Sequence, residues 1–189
     1  MRILAVLTVL TALPLPALAG AWAIDHAKTI ITIDVAYRTG GKVTVRFPAF
    51  KGNVVFDPGR PHSTKAHIVV HARAARTGLV LLDAVVRGPE FLYARKYPSI
   101  DFNLTRLVQT GPSDADISGT ITIRGVTRPL QLKARVYRFR PDEPDPAERI
   151  ASFNVWGHID RTEFGMTART DRIETTVPIR ILLSLRPQR

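Results

Sequence analysis

Apolar and polar residues alternate with a period of two along most of this chain after residue 20. The stretch 118–137 shows the pattern best, because Ile121 and Ile123 alternate with threonines and a second alternating run follows a turn marked by Gly125 and Pro129. Side chains of a strand point alternately to opposite faces, so this stretch predicts a hairpin with one apolar side. That side must pack against similar surfaces, as in a sandwich or barrel.

The same alternation predicts further strands across the rest of the chain. They fall at residues 31–37, 43–47, 50–56, 68–72, 100–104, 150–160 and 173–185. The count of eight or nine strands in one domain favours a closed antiparallel barrel over an open sheet with exposed edges. Prolines interrupt residues 140–149, which we interpret as a solvated loop.

The alternation fails between residues 74 and 98. Within this stretch, residues 89–96 begin with a proline and are typical of a short helix. We therefore expect a short helical excursion near residues 75–97 that covers one end of the sheet.

Residues 1–19 have the composition of a cleaved secretory leader. Arg2 precedes an uncharged apolar run, and the small residues of Ala17-Leu18-Ala19 stand before Gly20. We expect a signal peptide at 1–19, one barrel domain at 20–189 and a periplasmic location.

The chain contains no cysteine, which excludes disulfides and thiolate chemistry.

The chain is strongly basic, with 27 Lys and Arg against 16 Asp and Glu. Removal of Arg2 with the leader leaves 26 of these cations and a formal charge of +10. Such a charge favours anionic partners, among them a membrane surface. We do not expect nucleic-acid binding, because the cations are scattered singly and accompany no recognition motif.

Histidines are the candidate metal ligands. His67 and His71 share one face of a predicted strand, near His62, and His158 neighbours Trp156. His67, His71 and His158 lie on predicted outward faces, and no acidic ligand sits at matching spacing, so we expect solvated histidines and no metal site.

Catalytic signatures are equally sparse, and we expect no enzymatic activity. No nucleophile-elbow motif surrounds the serines Ser63, Ser118 and Ser152. Asp160 and Glu163 could form an acid–base pair, but we interpret Asp160 and Arg161 as ordering the turn before Phe164.

Five segments, in this order and spacing, resemble the YceI-like family of exported bacterial proteins. They are W-A-I-D at 22–25, V-V-F-D-P at 54–58, the segment P-E-F to I-D-F at 89–102, G-T-I-T-I-R-G-V-T-R-P-L at 119–130, and D-R-T-E-F-G-M at 160–166. The resemblance covers essentially all of the chain after the leader. It implies a lipocalin-like antiparallel β-barrel whose apolar interior holds a long isoprenoid lipid or quinone.

The predicted inward face supplies the candidate lining of a lipid site. Its residues are Ile33, Val35, Val45, Phe47, Phe56, Phe91, Phe102, Ile121, Ile123, Leu132, Phe153, Val155, Phe164 and Ile179. An eight-stranded barrel is wide enough either to be filled by side chains or to hold one slim ligand. The first possibility gives a ligand-free interaction module. The second gives a lipid carrier or storage protein, a monomer or homodimer that could contact an anionic membrane surface and needs no other cofactor.

Overall fold

The computed structural model describes residues 22–57, 59–145 and 148–187. Ten strands form one sheet within these residues, and a single α-helix interrupts them. The elements are β1 (Trp22–Ile24), β2 (Ile30–Ala36), β3 (Lys42–Arg46), β4 (Phe50–Val55), β5 (Lys65–His71), α1 (Val80–Arg87), β6 (Ser99–Gln109), β7 (Asp114–Ile123), β8 (Val126–Arg140), β9 (Ile150–Asp160) and β10 (Thr176–Pro187).

The sheet closes on itself through β10. One edge of β10 pairs with β9, and its other edge pairs with β2 at Ile179 and with β1 at Leu185. In the same way β3 pairs with β2, and β4 pairs with β1 and β5. Because β1 and β2 together act as one interrupted strand, and β3 and β4 as another, the result is an eight-stranded antiparallel barrel. The predicted all-β, lipocalin-like fold is confirmed.

Because neighbouring strands run antiparallel, successive connections lie at alternate ends of the barrel. Residues 37–41, 72–98, 124–125 and 161–175 lie at one end, which we call the helix end because it carries α1. Residues 56–57, 59–64, 110–113, 141–145 and 148–149 lie at the opposite end.

The β7–β8 hairpin turns earlier than the sequence suggested. Arg124 and Gly125 both have positive φ, at 53° and 76°, as a two-residue type I′ turn requires. Pro129 was expected to mark the turn, which is wrong, because it pairs with Thr120 inside the hairpin. Strand β8 begins pairing with β9 only at Leu132, so Pro129 lies where β8 has one unpaired edge.

The helix also lies elsewhere than predicted. It spans Val80–Arg87, whereas residues 89–96 form turns. Leu82, Val85 and Val86 follow the spacing of one helix face and point into the barrel. After Gly88, a positive φ of 46° at Tyr93 prevents regular helix. The expected helical excursion near 75–97 is thus present, with a helix that ends two residues before Pro89.

A charged cluster stabilises the outer face of β2 and its neighbours. The Asp34 carboxylate accepts hydrogen bonds from Lys42 Nζ at 2.8 Å, from Thr44 Oγ1 at 2.7 Å and from Arg180. Desolvation acts to raise the pKa of Asp34, but these hydrogen bonds and the Arg180 charge outweigh it and hold the pKa below its ordinary value of 3.8.

We predict that Asp34→Asn lowers the free energy of unfolding by about 1 to 3 kcal/mol at pH 7, because charge-assisted hydrogen bonds are lost. Folding lowers the pKa of Asp34. The carboxylate's contribution to stability is therefore complete at pH values above the pKa of the unfolded state, and it is lost as the pH falls through the pKa of the folded state. Urea unfolding of wild type and variant at pH 7 and in acid measures this. The exposed Asp116→Asn is the control, and equal stabilities of Asp34→Asn and wild type at pH 7 contradict the prediction.

Candidate functional site

The interior of the barrel holds an apolar cavity of about 640 Å³. Every predicted lining residue except Phe164 lies on its wall. These residues are Ile33, Val35, Val45, Phe47, Phe56, Phe91, Phe102, Ile121, Ile123, Leu132, Phe153, Val155 and Ile179. Phe164 is instead buried in the core, because it belongs to the 3₁₀ turn Arg161–Phe164 that follows β9 rather than to a strand.

The interior is not filled by side chains. Ile33, Val70, Phe102 and Phe153 all point inward, yet each is only partly buried. In a close-packed core such residues contact one another and lose almost all of their accessible surface. Their remaining accessible surface faces the cavity.

Aromatic rings pack together at the opposite end of the barrel. Phe56 contacts Trp22 edge-to-face with ring centroids 6.2 Å apart, and it contacts Phe153 in the same geometry at 5.5 Å. Such pairs add to the burial energy of the rings. We call this group of three rings the floor of the cavity.

The cavity opens at the helix end. Among the wall residues, the exposed ones are Tyr37, Thr39, Arg169 and Arg172, and all four lie in connections of that end. These four residues define the mouth. The inner face of α1 lies beside it, since Leu82, Val85 and Val86 also belong to the wall.

The buried cation Arg161 fixes one side of the mouth. It is 2% exposed, and its guanidinium donates hydrogen bonds to the carbonyls of Glu174 at 3.0 Å, Ala168 at 2.9 Å and Ile173 at 3.1 Å, and to that of Met166. In the residues that the structure describes, no ion pair joins it to a carboxylate. Arg161 therefore holds the connection that carries Arg169 and Arg172 by its donor geometry.

Burial lowers the pKa of Arg161 from its usual value. The charge of Asp160 opposes that shift, and the charge of Arg38 adds to it. The guanidinium also lies over the Phe91 ring, with Cζ 5.9 Å from the centroid. Arg161 thus links the mouth to the segment that follows α1.

Asp160 and Glu163 do not form a catalytic pair on the cavity wall. The Asp160 carboxylate accepts from the hydroxyl of Thr162 at 2.6 Å and from its backbone N–H at 2.8 Å. These two hydrogen bonds lower the pKa of Asp160. Asp160 therefore caps the 3₁₀ turn, as the sequence indicated, while Glu163 is exposed.

The histidines and serines considered above lie away from the cavity wall. His62, His67, His71 and His158 are exposed, and no group of three or more metal-binding side chains occurs in residues 22–57, 59–145 and 148–187. Ser118 bonds Gln131 at 2.9 Å on the outer face, and Ser152 bonds the Ser184 hydroxyl at 2.9 Å.

A model of the family described as the YceI-like domain matches residues 22–185. The chain belongs to the YceI-like family. Protein YceI of Salmonella arizonae is 29% identical over 139 residues, which cover 74% of this chain and 70% of that relative.

Solved structures of similar proteins support the YceI-like fold. Burkholderia cenocepacia BcnA aligns with a TM-score of 0.74 at 19% identity, covering 85% of this chain and 98% of BcnA. A polyisoprenoid binding domain from Saccharophagus degradans, implicated in plant cell wall breakdown, aligns with a TM-score of 0.66 at 16% identity. The alignment covers 89% of this chain and 99% of that domain. At these identities the likeness concerns the fold.

Sequence reasoning missed several residues of the mouth of this YceI-like barrel. Arg169 and Arg172 lie in a connection without strand periodicity, so no pattern places them on the wall. The inner face of α1 did leave a signal, because Leu82, Val85 and Val86 have the spacing of a helix face. For Arg161, only the structure shows which carbonyls it contacts.

We predict that Arg161→Lys lowers the free energy of unfolding by about 2 to 4 kcal/mol, because an ammonium group cannot reach four separated carbonyls. Amide hydrogen exchange in residues 166–174 should accelerate more than exchange in the strands. The exposed Arg128→Lys is the matched control and should change stability by less than about 0.5 kcal/mol. Unchanged exchange in residues 166–174 of Arg161→Lys contradicts the assigned role.

Proposed function

We propose that this chain is an exported protein that binds one long polyisoprenoid, or a similar apolar lipid, inside its barrel and carries or stores it in the periplasm. The observation that carries the proposal is the hollow apolar interior, with an aromatic floor at one end and an exposed mouth at the other. The volume of about 640 Å³ falls within the usual range for small-molecule sites.

Burial of hydrocarbon would be the main source of affinity in this cavity. Each methylene transferred from water contributes about 0.8 kcal/mol, so about ten of them contribute about 8 kcal/mol. If the cost of ordering ligand and protein is not yet subtracted, that energy corresponds to a dissociation constant of about 1 μM. A longer chain gains more as further groups enter the cavity.

The polarity of the wall favours a ligand with an apolar chain and a polar end. Within the described residues, the polar side chains of the wall are three threonines, Tyr37 and three arginines. Of these, Tyr37, Thr39, Arg169 and Arg172 are exposed at the mouth. The apolar chain would therefore enter first, and the polar head group would remain at the mouth.

Two further facts support parts of the proposal. The aligned Saccharophagus degradans structure is that of a polyisoprenoid binding domain. The composition of residues 1–19, which lie outside the described residues, is typical of a secretory leader.

None of the described helices is long and apolar enough to cross a bilayer.

The two alternatives have less support. A ligand-free interaction module was expected to have a side-chain-filled barrel, and the interior is hollow. An enzyme acting on a bound lipid would need titratable groups beside it, and the described wall carries no carboxylate, histidine or lysine. We therefore propose binding and not catalysis.

We predict that Val70→Trp abolishes lipid binding, because the indole extends from β5 into the cavity. Wild-type protein should retain about one equivalent of a prenyl quinone through gel filtration, and Val70→Trp should retain less than a tenth of that. The ratio of quinone to protein is measured by extracting the quinone and recording its absorbance.

Val69→Trp is the matched control, because Val69 is a neighbouring half-buried valine of β5 that does not line the cavity. It should bind as the wild type does. Val70→Trp should stay folded, since added volume enters a cavity and not a packed core. Equal quinone retention by the two variants contradicts the proposed site.

A further inference from the structure

Three consecutive apolar residues protrude at the start of α1. Leu79, Val80 and Leu81 are 62%, 82% and 83% exposed, and we call them the apolar tip. Val80 and Leu81 are the most exposed large hydrophobic residues in the described part of the chain. Water-exposed aliphatic side chains in a contiguous group indicate a surface that another apolar phase covers.

The apolar tip is held in a fixed position. The Asp83 carboxylate accepts hydrogen bonds from the Thr77 N–H at 2.5 Å and from the Thr77 hydroxyl at 2.7 Å, and the Leu79 N–H donates to that hydroxyl at 3.2 Å. On the other side of α1, Leu82 and Val85 belong to the cavity wall. Because Leu82 and Val85 hold α1 against the barrel, the residues at its start stay in place with their side chains in solvent.

Charge is distributed unequally between the two ends of the barrel. The connections of the helix end contain ten Lys and Arg against five Asp and Glu, whereas those of the opposite end contain two against five. Five of the ten cations lie in residues 72–98, on either side of the apolar tip. A basic end opposed to an acidic end orients a molecule with the basic end toward a negative surface.

We infer that the helix end docks on bilayers containing anionic phospholipid, with the apolar tip inserted among the head groups and the surrounding cations facing the lipid phosphates. Apolar insertion combined with attraction to anionic lipid is the usual basis of reversible binding at a membrane interface. Leu82 follows the tip directly and already lines the cavity, so docking places the mouth at the bilayer. This last consequence rests on the proposed lipid binding, whereas docking itself does not.

Cosedimentation with vesicles tests the inference. Wild-type mature protein should bind phosphatidylglycerol vesicles at low salt, bind phosphatidylcholine vesicles at least about tenfold more weakly, and dissociate as salt rises. The double variant Val80→Ser/Leu81→Ser should bind phosphatidylglycerol vesicles about tenfold more weakly than wild type.

A matched double variant removes two exposed apolar residues elsewhere. Val55 and Tyr137 are 54% and 61% exposed on strands, outside the helix end, so Val55→Ser/Tyr137→Ser should dock as wild type does. All four substituted positions are exposed, and circular dichroism checks that both variants fold. Equal vesicle binding by both double variants overturns the inference, because docking would then depend on charge alone.

Two further measurements separate docking from cargo binding. Val70→Trp retains the surface of the helix end, so it should dock on vesicles although it holds no quinone. If wild type holds quinone but ignores phosphatidylglycerol vesicles, the inference is wrong and the proposed function stands. If the tip instead mediates self-association in analytical ultracentrifugation without vesicle binding, a second copy covers it and the inference is also wrong.

Discussion

Closure of the backbone ladder is the constraint on which the rest of this structure depends. Strand β10 joins β9 to the interrupted strand formed by β1 and β2, so the sheet has no long free edge. Backbone hydrogen bonds around a closed barrel are satisfied by neighbouring strands and do not require a packed centre. Inward side chains such as Ile33 and Phe102 can therefore remain partly buried around a cavity.

The connections at the helix end make the two ends of the cavity different. Arg161 binds backbone carbonyls of the β9–β10 connection and so positions the arginines of the mouth. Beside the mouth, α1 presents Leu82 and Val85 to the cavity and the apolar tip to solvent. The aromatic floor lies at the other end of the same interior. Together these parts define one route into the cavity, from the basic end.

The alternation of residues predicted most of the wall, because in a strand the identity of the inward face follows from sequence spacing alone. It predicted the helix and the turn less well. Leu82, Val85 and Val86 form a helix face, but the N-cap residue Leu79 has no capping side chain, which hid the start of α1. Pro129 suggested a turn, although a strand tolerates proline where its edge is unpaired. The four carbonyls around Arg161 come from residues 166–174, a tertiary arrangement that no local pattern encodes.

Native mass spectrometry of the protein, purified without detergent, tests the central claim most directly. The account predicts one bound lipid per chain, released on denaturation and identifiable by its mass as a molecule with a long apolar chain. A chain of unmodified mass that also remains empty after incubation with prenyl quinones would contradict it, because the cavity would then have no apolar ligand to hold.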